Sequence, residues 1–148
     1  MKRKFYMGGL GMLCLLALAA CKTTTVGSYE VIPLPQEISV TKGEKPFVLN
    51  GPVQVVYPEG NQKMKENAGF LANFIQEITG QKAEISSKQN AKQGIFLEID
   101  PSIPQPEGYQ LIVNDKSVRV KGATEAGVFY GIQTLRKALP ETGQGKVA

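Results

Sequence analysis

Apolar residues in this chain fall into runs with different periods, and the period predicts the element. Residues 31–36, Val31-Ile32-Pro33-Leu34-Pro35-Gln36, are apolar but carry two prolines, which suits an extended edge and not a central strand. Phe47-Val48-Leu49 and Val53-Gln54-Val55-Val56-Tyr57 are strand candidates separated by the turn signal Asn50-Gly51-Pro52, and Pro58-Glu59-Gly60 closes the second. Over residues 61–79 the spacing becomes helical. Met64, Ala68, Leu71, Phe74, Ile75 and Ile78 share one face, with Asn61 placed to cap the start and Gly80 placed to end it.

Short β candidates follow at 83–86, 95–99 and 109–113, each bounded by turn residues. Val118-Arg119-Val120 returns after Asn114-Asp115-Lys116, so residues 109–121 read as a hairpin with Leu111, Val113, Val118 and Val120 facing inward. The last period is helical again, over 125–139, with Val128, Ile132, Leu135 and Leu139 as its stripe, Thr124 as its cap, Glu125 in its positive first turn and Pro140 as its stop. Ala123, Gly127 and Gly131 form a second stripe of small residues at four-residue spacing. Glycine inside a helix costs about 1 kcal/mol against alanine, so this stripe predicts that another backbone comes close, from the domain's own sheet or helix or from a ligand or partner. The order β-β-helix-β-β-β-β-helix predicts an α+β fold: a mixed, partly antiparallel β-sheet with two α-helices packed on one face.

Ahead of this pattern stands a stretch with no period at all. Lys2, Arg3 and Lys4 are followed by sixteen residues, 5–20, without a charge and ending in small residues. Basic start, short apolar run and small-residue end are the layout of a secretory signal, too short for a comfortable membrane span. Leu18-Ala19-Ala20-Cys21 resembles the lipobox of bacterial lipoproteins, which implies cleavage before Cys21 and a lipid on its sulfur. The resulting division is a signal peptide at 1–20, lipid anchor and tether at 21–30, one folded domain at 31–140, and the start of a linker at 141–148. The expected location is the bacterial cell envelope, lipid-anchored, with the outer membrane as destination on its periplasmic or outer face.

Cleavage changes the reading of charge and cysteine. Of 17 Lys and Arg, three lie in the signal, leaving 14 against 13 Asp and Glu, and no basic stripe with interleaved aromatics points to nucleic acid. Cys14 is removed with the signal and Cys21 is lipidated, so no internal disulfide is expected and stability must come from packing.

The same inventory argues against chemistry within the chain. There is no histidine, the commonest general base and metal ligand, and no free thiol, so no catalytic residue, metal site or cofactor is expected. Ser86-Ser87-Lys88 lies at the edge of a polar stretch that reads as a loop. Glu98 and Asp100 alternate on one strand and would share a face, but Pro101 follows directly and a solvated face explains them. Gly122, Gly127 and Gly131 fit neither nucleotide-binding glycine spacing. Tyr29, Tyr57, Tyr109, Tyr130, Phe74 and Phe129 fall mostly on expected core faces, and an exposed pair would suit stacking on a sugar ring.

Three segments carry a family resemblance: Val31-Ile32-Pro33-Leu34-Pro35-Gln36, Gly108-Tyr109-Gln110-Leu111-Ile112-Val113 and, most specific, the run 122–135 with Gly127, Phe129, Tyr130, Gly131, Gln133, Thr134 and Leu135. Together they resemble the N-terminal accessory domain of glycoside hydrolase family 20, the β-N-acetylhexosaminidases. The resemblance implies a parent enzyme that removes terminal N-acetylhexosamine from glycans with retention. In that family an adjacent Asp-Glu pair on a (β/α)8 barrel acts, Glu as the acid and Asp orienting the substrate acetamido group. No such adjacent pair stands in this sequence. The implied role is therefore non-catalytic: a domain that supports a barrel expected C-terminal to it. The alternative is a free-standing envelope lipoprotein that binds glycans or proteins, and an exposed apolar helix face would favour the first reading while a polar surface with an aromatic-lined groove would favour the second.

Overall fold

The computed structural model describes residues 25–26, 37, 45–49, 51–88, 90–139 and 145–147. The expected signal peptide, Cys21 and the 31–36 segment lie outside the described residues. The chain order is β1 (Thr25–Val26), β2 (Phe47–Val48), β3 (Val53–Val56), α1 (Gln62–Thr79), β4 (Ala83–Ser86), β5 (Gly94–Ile99), β6 (Tyr109–Val113), β7 (Ser117–Gly122), α2 (Glu125–Ala138) and β8 (Gly145–Val147). Five strands form the main sheet in the order β4-β3-β5-β7-β6. The first four run parallel, and β6 joins β7 as an antiparallel hairpin at the edge, with Leu111 opposite Val120 and Val113 opposite Val118. The sheet is mixed, as its sequence pattern predicts.

Both helices cover one face of this sheet. Val53, Val55, Ile95, Leu97, Val118 and Val120 alternate along their strands toward Met64, Ala68, Leu71 and Ile75 of α1 and Val128, Ile132 and Leu135 of α2, and all of these side chains are buried. Burying a side chain of this size is worth roughly 1.5–3 kcal/mol, so this layer supplies the stability that cysteines do not. α1 packs over β3 and β4, α2 over β5, β6 and β7, and the two helices touch along their length.

Two details depart from the sequence pattern. Phe47–Val48 does not join the main sheet; it pairs antiparallel with β8, which also pairs parallel with β1 in a separate three-stranded sheet. Stretches that read as flexible tether and linker thus contain short strands, because backbone pairing between distant residues needs no hydrophobic period of its own.

The helix ends follow local chemistry. Asn61 Oδ1 accepts from the Met64 N–H at 3.0 Å, and Gly80 adopts φ +66°, donating its own N–H to Gln76 O at 2.9 Å. Thr124 Oγ1 accepts from Gly127 N and donates to Pro106 O at 2.7 Å. Glu125 opens α2, and Arg136 and Lys137 close it, matching the helix dipole at both ends. Asn61 also ties the helices together: its Nδ2 donates to Glu125 Oε1 at 2.8 Å, while Asn67 Nδ2 donates to Glu125 O at 3.0 Å.

The Asn61 hydrogen bond holds the Glu125 carboxyl below the usual carboxylate range, helped by its own backbone and by Lys63. A lowered pKa contributes stability that is present above the ordinary carboxylate range and lost as pH falls through the lowered value. Two substitutions separate the roles of Asn61. Asn61→Ser keeps a cap but loses the donor to Glu125, whereas Asn61→Asp keeps the cap and sets a second carboxylate against Glu125. We expect Asn61→Asp to melt below Asn61→Ser at neutral pH and the gap to close as carboxylates protonate toward pH ~4, read from thermal melts across pH.

Candidate functional site

The small-residue stripe of α2 is explained within the domain. A Cβ on Gly127 would stand 2.3 Å from Gly108 O, and one on Gly131 would stand 2.5 Å from Val120 Cγ1 and 3.2 Å from Tyr109 Cδ2. α2 is thus pressed onto the start of β6 and onto β7, and Tyr109 Oη meets Thr134 Oγ1 at 2.6 Å across that contact. The stripe is filled by the protein's own sheet.

The opposite side of the helix pair is bare. Phe70 on α1 and Phe129 and Tyr130 on α2 are each about two-fifths exposed, and Phe74 is half-buried beside them. Phe129 stands 5.7 Å from Phe70 and 6.1 Å from Tyr130 between ring centroids, so the rings form one continuous patch across both helices. Asn73, one turn after Phe70, and Ala126, one turn before Tyr130, are exposed and uncharged. Between Glu125 and Arg136 the exposed side of α2 carries no charge. Phe129 and Tyr130, grouped with the expected core faces in the sequence, are exposed instead: they lie one and two residues beyond Val128, and at about 100° per residue they rotate away from the sheet.

Sequence candidates for chemistry resolve into structure. Glu98, Asp100, Arg119 and Lys121 share the sheet face away from the helices. Arg119 bonds Glu98, and Lys121 reaches Glu98 at 3.9 Å and Asp100 at 3.6 Å. Asp100 also accepts from the Ser102 hydroxyl at 2.5 Å and the Ser102 N–H at 3.1 Å, which hold its carboxyl below the ordinary range. Asp100 is thus held charged, the opposite of a proton donor waiting for substrate, and Glu98 is tied up in ion pairs with Arg119 and Lys121. Ser86 ends β4, and its Oγ accepts the Lys88 N–H at 3.1 Å. Two shallow clefts of about 260 Å3 lie at opposite ends of the sheet, and each is lined by a single carboxylate, Asp115 in one and Glu59 in the other. Phe70, Phe129 and Tyr130 line neither cleft. Among the described residues no group of three or more Cys, Asp or Glu is placed to hold a metal, and no helix is long and apolar enough to cross a membrane.

A mixed sheet with two helices on one face agrees with what comparisons with known proteins find. Residues 28–148 match glycosyl hydrolase family 20, domain 2. The chain belongs to this family. Among curated relatives it is 27% identical over 142 residues to the beta-hexosaminidase of Porphyromonas gingivalis, covering 89% of this chain and 18% of the relative. It is 25% identical over 117 residues to the beta-N-acetylhexosaminidase of Cellulomonas fimi, covering 78% of this chain and 23% of the relative. The structure of Streptomyces plicatus N-acetyl-beta-hexosaminidase superposes at a TM-score of 0.65 with 27% identity over 74% of this chain and 21% of that one. The family 20 beta-N-acetylhexosaminidase of Streptomyces coelicolor A3(2) superposes at 0.62 with 26% identity, over 69% of this chain and 20% of that one. The chain thus spans about a fifth of the length of the relatives it matches. In this chain the run 122–135 does two jobs at once: its glycines close the helix onto the sheet, and Phe129 and Tyr130 between Gly127 and Gly131 are exposed.

Proposed function

We propose that this chain is the non-catalytic accessory domain of a β-N-acetylhexosaminidase, and that the Phe70-Phe129-Tyr130 face seats the enzyme's catalytic (β/α)8 barrel. The observation that carries this reading is the exposed aromatic patch on a domain that spans about a fifth of the length of its relatives. Contiguous exposed apolar surface of this kind marks an interaction site. A glycan-binding module would set aromatic rings in a groove with converging polar groups, and here the rings lie outside both clefts on a broad helix face. The parent reaction, removal of terminal N-acetylhexosamine with retention, belongs to the barrel's own Asp-Glu pair, and the accessory domain contributes by holding the barrel folded.

The N-terminal pattern adds a location. Export, cleavage before Cys21 and lipid attachment to its sulfur would place the domain on the bacterial envelope, with the outer membrane as destination. Lipid on Cys21 is checked by mass spectrometry of the exported protein and its loss in Cys21→Ser.

The deciding experiment reads the reading frame downstream of the Ala148 codon on one unbroken clone and assays its product on a chromogenic N-acetylglucosaminide. A continuous frame with an adjacent Asp-Glu pair and hydrolysis of the glycoside is the expected result. A stop codon with no barrel would overturn the reading in favour of a free-standing envelope module.

A further inference from the structure

The chain that leads into the domain is pinned at one end of the main sheet. β1 pairs in parallel with β8, and β8 pairs antiparallel with β2, which sets Thr25 opposite Gly145 and Phe47 opposite Val147. Phe47 is buried in the core, and with Val48 it lines a cleft together with Val53, Gly94 and Asp115, which stand where β3 and β5 begin and where β6 turns into β7. The small sheet therefore sits at the end from which the parallel strands start. Neighbouring strands lie about 4.8 Å apart, so β1 is roughly 10 Å from β2. Thr25 comes four residues after Cys21, a reach of at most about 14 Å.

That same end is positive. Lys82 and Lys116 lead into β4 and β7, and their backbone oxygens accept from Val53 N and Gly94 N, the first residues of β3 and β5. Lys92 stands two residues before β5 and Lys45 two before β2, and α2 brings Arg136 and Lys137 in its last turn. All but Arg136 are exposed. The described acids at this end are Glu77, Glu84 and Asp115. Of the cations only Lys82 is paired among the described residues, with Glu84 at 2.7 Å. At the other end, where the parallel strands finish, Glu59, Asp100, Glu107 and Glu125 stand with Lys63, Lys65 and Lys88, and charge nearly balances.

We propose that the end carrying the strand starts and the small sheet is a membrane-facing surface, its lysines lying against the anionic headgroups of the bilayer that holds the Cys21 lipid. This rests on the reading of Cys21 as lipidated, and adds which face of the domain meets the membrane and by what chemistry. The short reach from Cys21 keeps this end near the bilayer, and each lysine brought to the headgroups favours the orientation about fivefold. A lipid joined to a basic patch is a stronger anchor than either alone. The Phe70-Phe129-Tyr130 patch lies on the side of the helix layer and not on this end, so the membrane and the catalytic domain use different surfaces.

The test uses the full-length lipidated protein in vesicles whose headgroups carry a nitroxide quencher. A fluorophore is attached through an azide-bearing side chain placed at Gln93, exposed at the positive end, or at Gln105, exposed at the other. In phosphatidylglycerol vesicles at low salt, quenching at position 93 is expected to exceed that at 105 by about twofold or more, and the ratio should fall toward one in phosphatidylcholine, in high salt or with Lys92→Glu and Lys116→Glu combined. Lys92→Arg with Lys116→Arg keeps the charge and should keep the ratio. Equal quenching at both positions in anionic vesicles would overturn the proposal, because the domain then turns freely on its tether. A preference for position 93 that survives salt, neutral lipid and charge reversal would overturn it as well, since the tether alone would set the orientation. Protein that stays off every vesicle, with Cys21 found unmodified by mass spectrometry, would mean that the lipid reading has failed and the membrane-facing surface with it.

Discussion

Gly127→Ala is expected to destabilise the domain by at least about 2 kcal/mol, against the ordinary trend that alanine in a helix is better than glycine by about 1 kcal/mol. The reason is contact. The added Cβ would lie 2.3 Å from the backbone oxygen of Gly108 and 3.2 Å from the Gly122 Cα, both main-chain atoms that cannot rotate away. Relief requires α2 to lift from the sheet. That lift would break the Ala123 N–H bond to Gly108 O, now 3.0 Å, and the Tyr109–Thr134 hydroxyl contact. Gly69 is the internal control. It sits inside α1, and a Cβ there meets nothing within 4 Å, so Gly69→Ala should gain up to about 1 kcal/mol from helix propensity alone. Thermal melts of the two variants should therefore move in opposite directions, with Gly127→Ala falling by roughly 10 °C. A rise in both would mean that α2 does not press on the β6 start as described.

The contrast between Gly127 and Gly69 shows what a sequence can and cannot reveal. Both are helical glycines; only the four-residue repeat with Ala123 and Gly131 hints that one of them is held by a close approach. Helix ends are legible throughout, since Asn61, Gly80 and Thr124 act on backbone groups within four residues of themselves. Inward strand positions are legible too, because Val53 and Val55, or Val118 and Val120, alternate over a short range. Strand order is not: β3 lies between β4 and β5, and β5 between β3 and β7, through parallel pairings that no local pattern encodes. Nor is the small sheet, whose strands Thr25–Val26 and Gly145–Val147 lie about 120 residues apart in polar stretches.

The candidate site shows the same division. Alternation alone places Glu98 and Asp100 on one face, and the cations that neutralise them come from β7, a strand whose adjacency is hidden from the local pattern. By sequence, Phe129 and Tyr130 group with the aromatics on expected core faces, and the structure exposes them. The apolar stripe Val128-Ile132-Leu135 already fixes which side of α2 faces the sheet, and helical geometry then turns both rings outward. Their aromatic character is a property of what covers them, and hydrophobicity alone does not say whether the cover is the same domain or another.

That distinction yields the second large effect. Phe129→Ala should cost the isolated domain about 1 kcal/mol, since the ring is already 38% exposed and its ring contacts are with Phe70 and Tyr130, themselves exposed. In the full-length enzyme the same change should remove about 2 kcal/mol or more of coupling between domains, the scale of an aromatic interface anchor. Ile132→Ala, one turn away but fully buried, should cost about 2–5 kcal/mol in both contexts. Urea unfolding of each variant, alone and in the longer protein, separates the cases. A core residue destabilises equally wherever it is measured, whereas an interface residue is silent until its partner is present. Equal small losses for Phe129→Ala in both contexts would mean that the aromatic face stays open to water in the complete enzyme, and the catalytic domain would have to be seated on another surface.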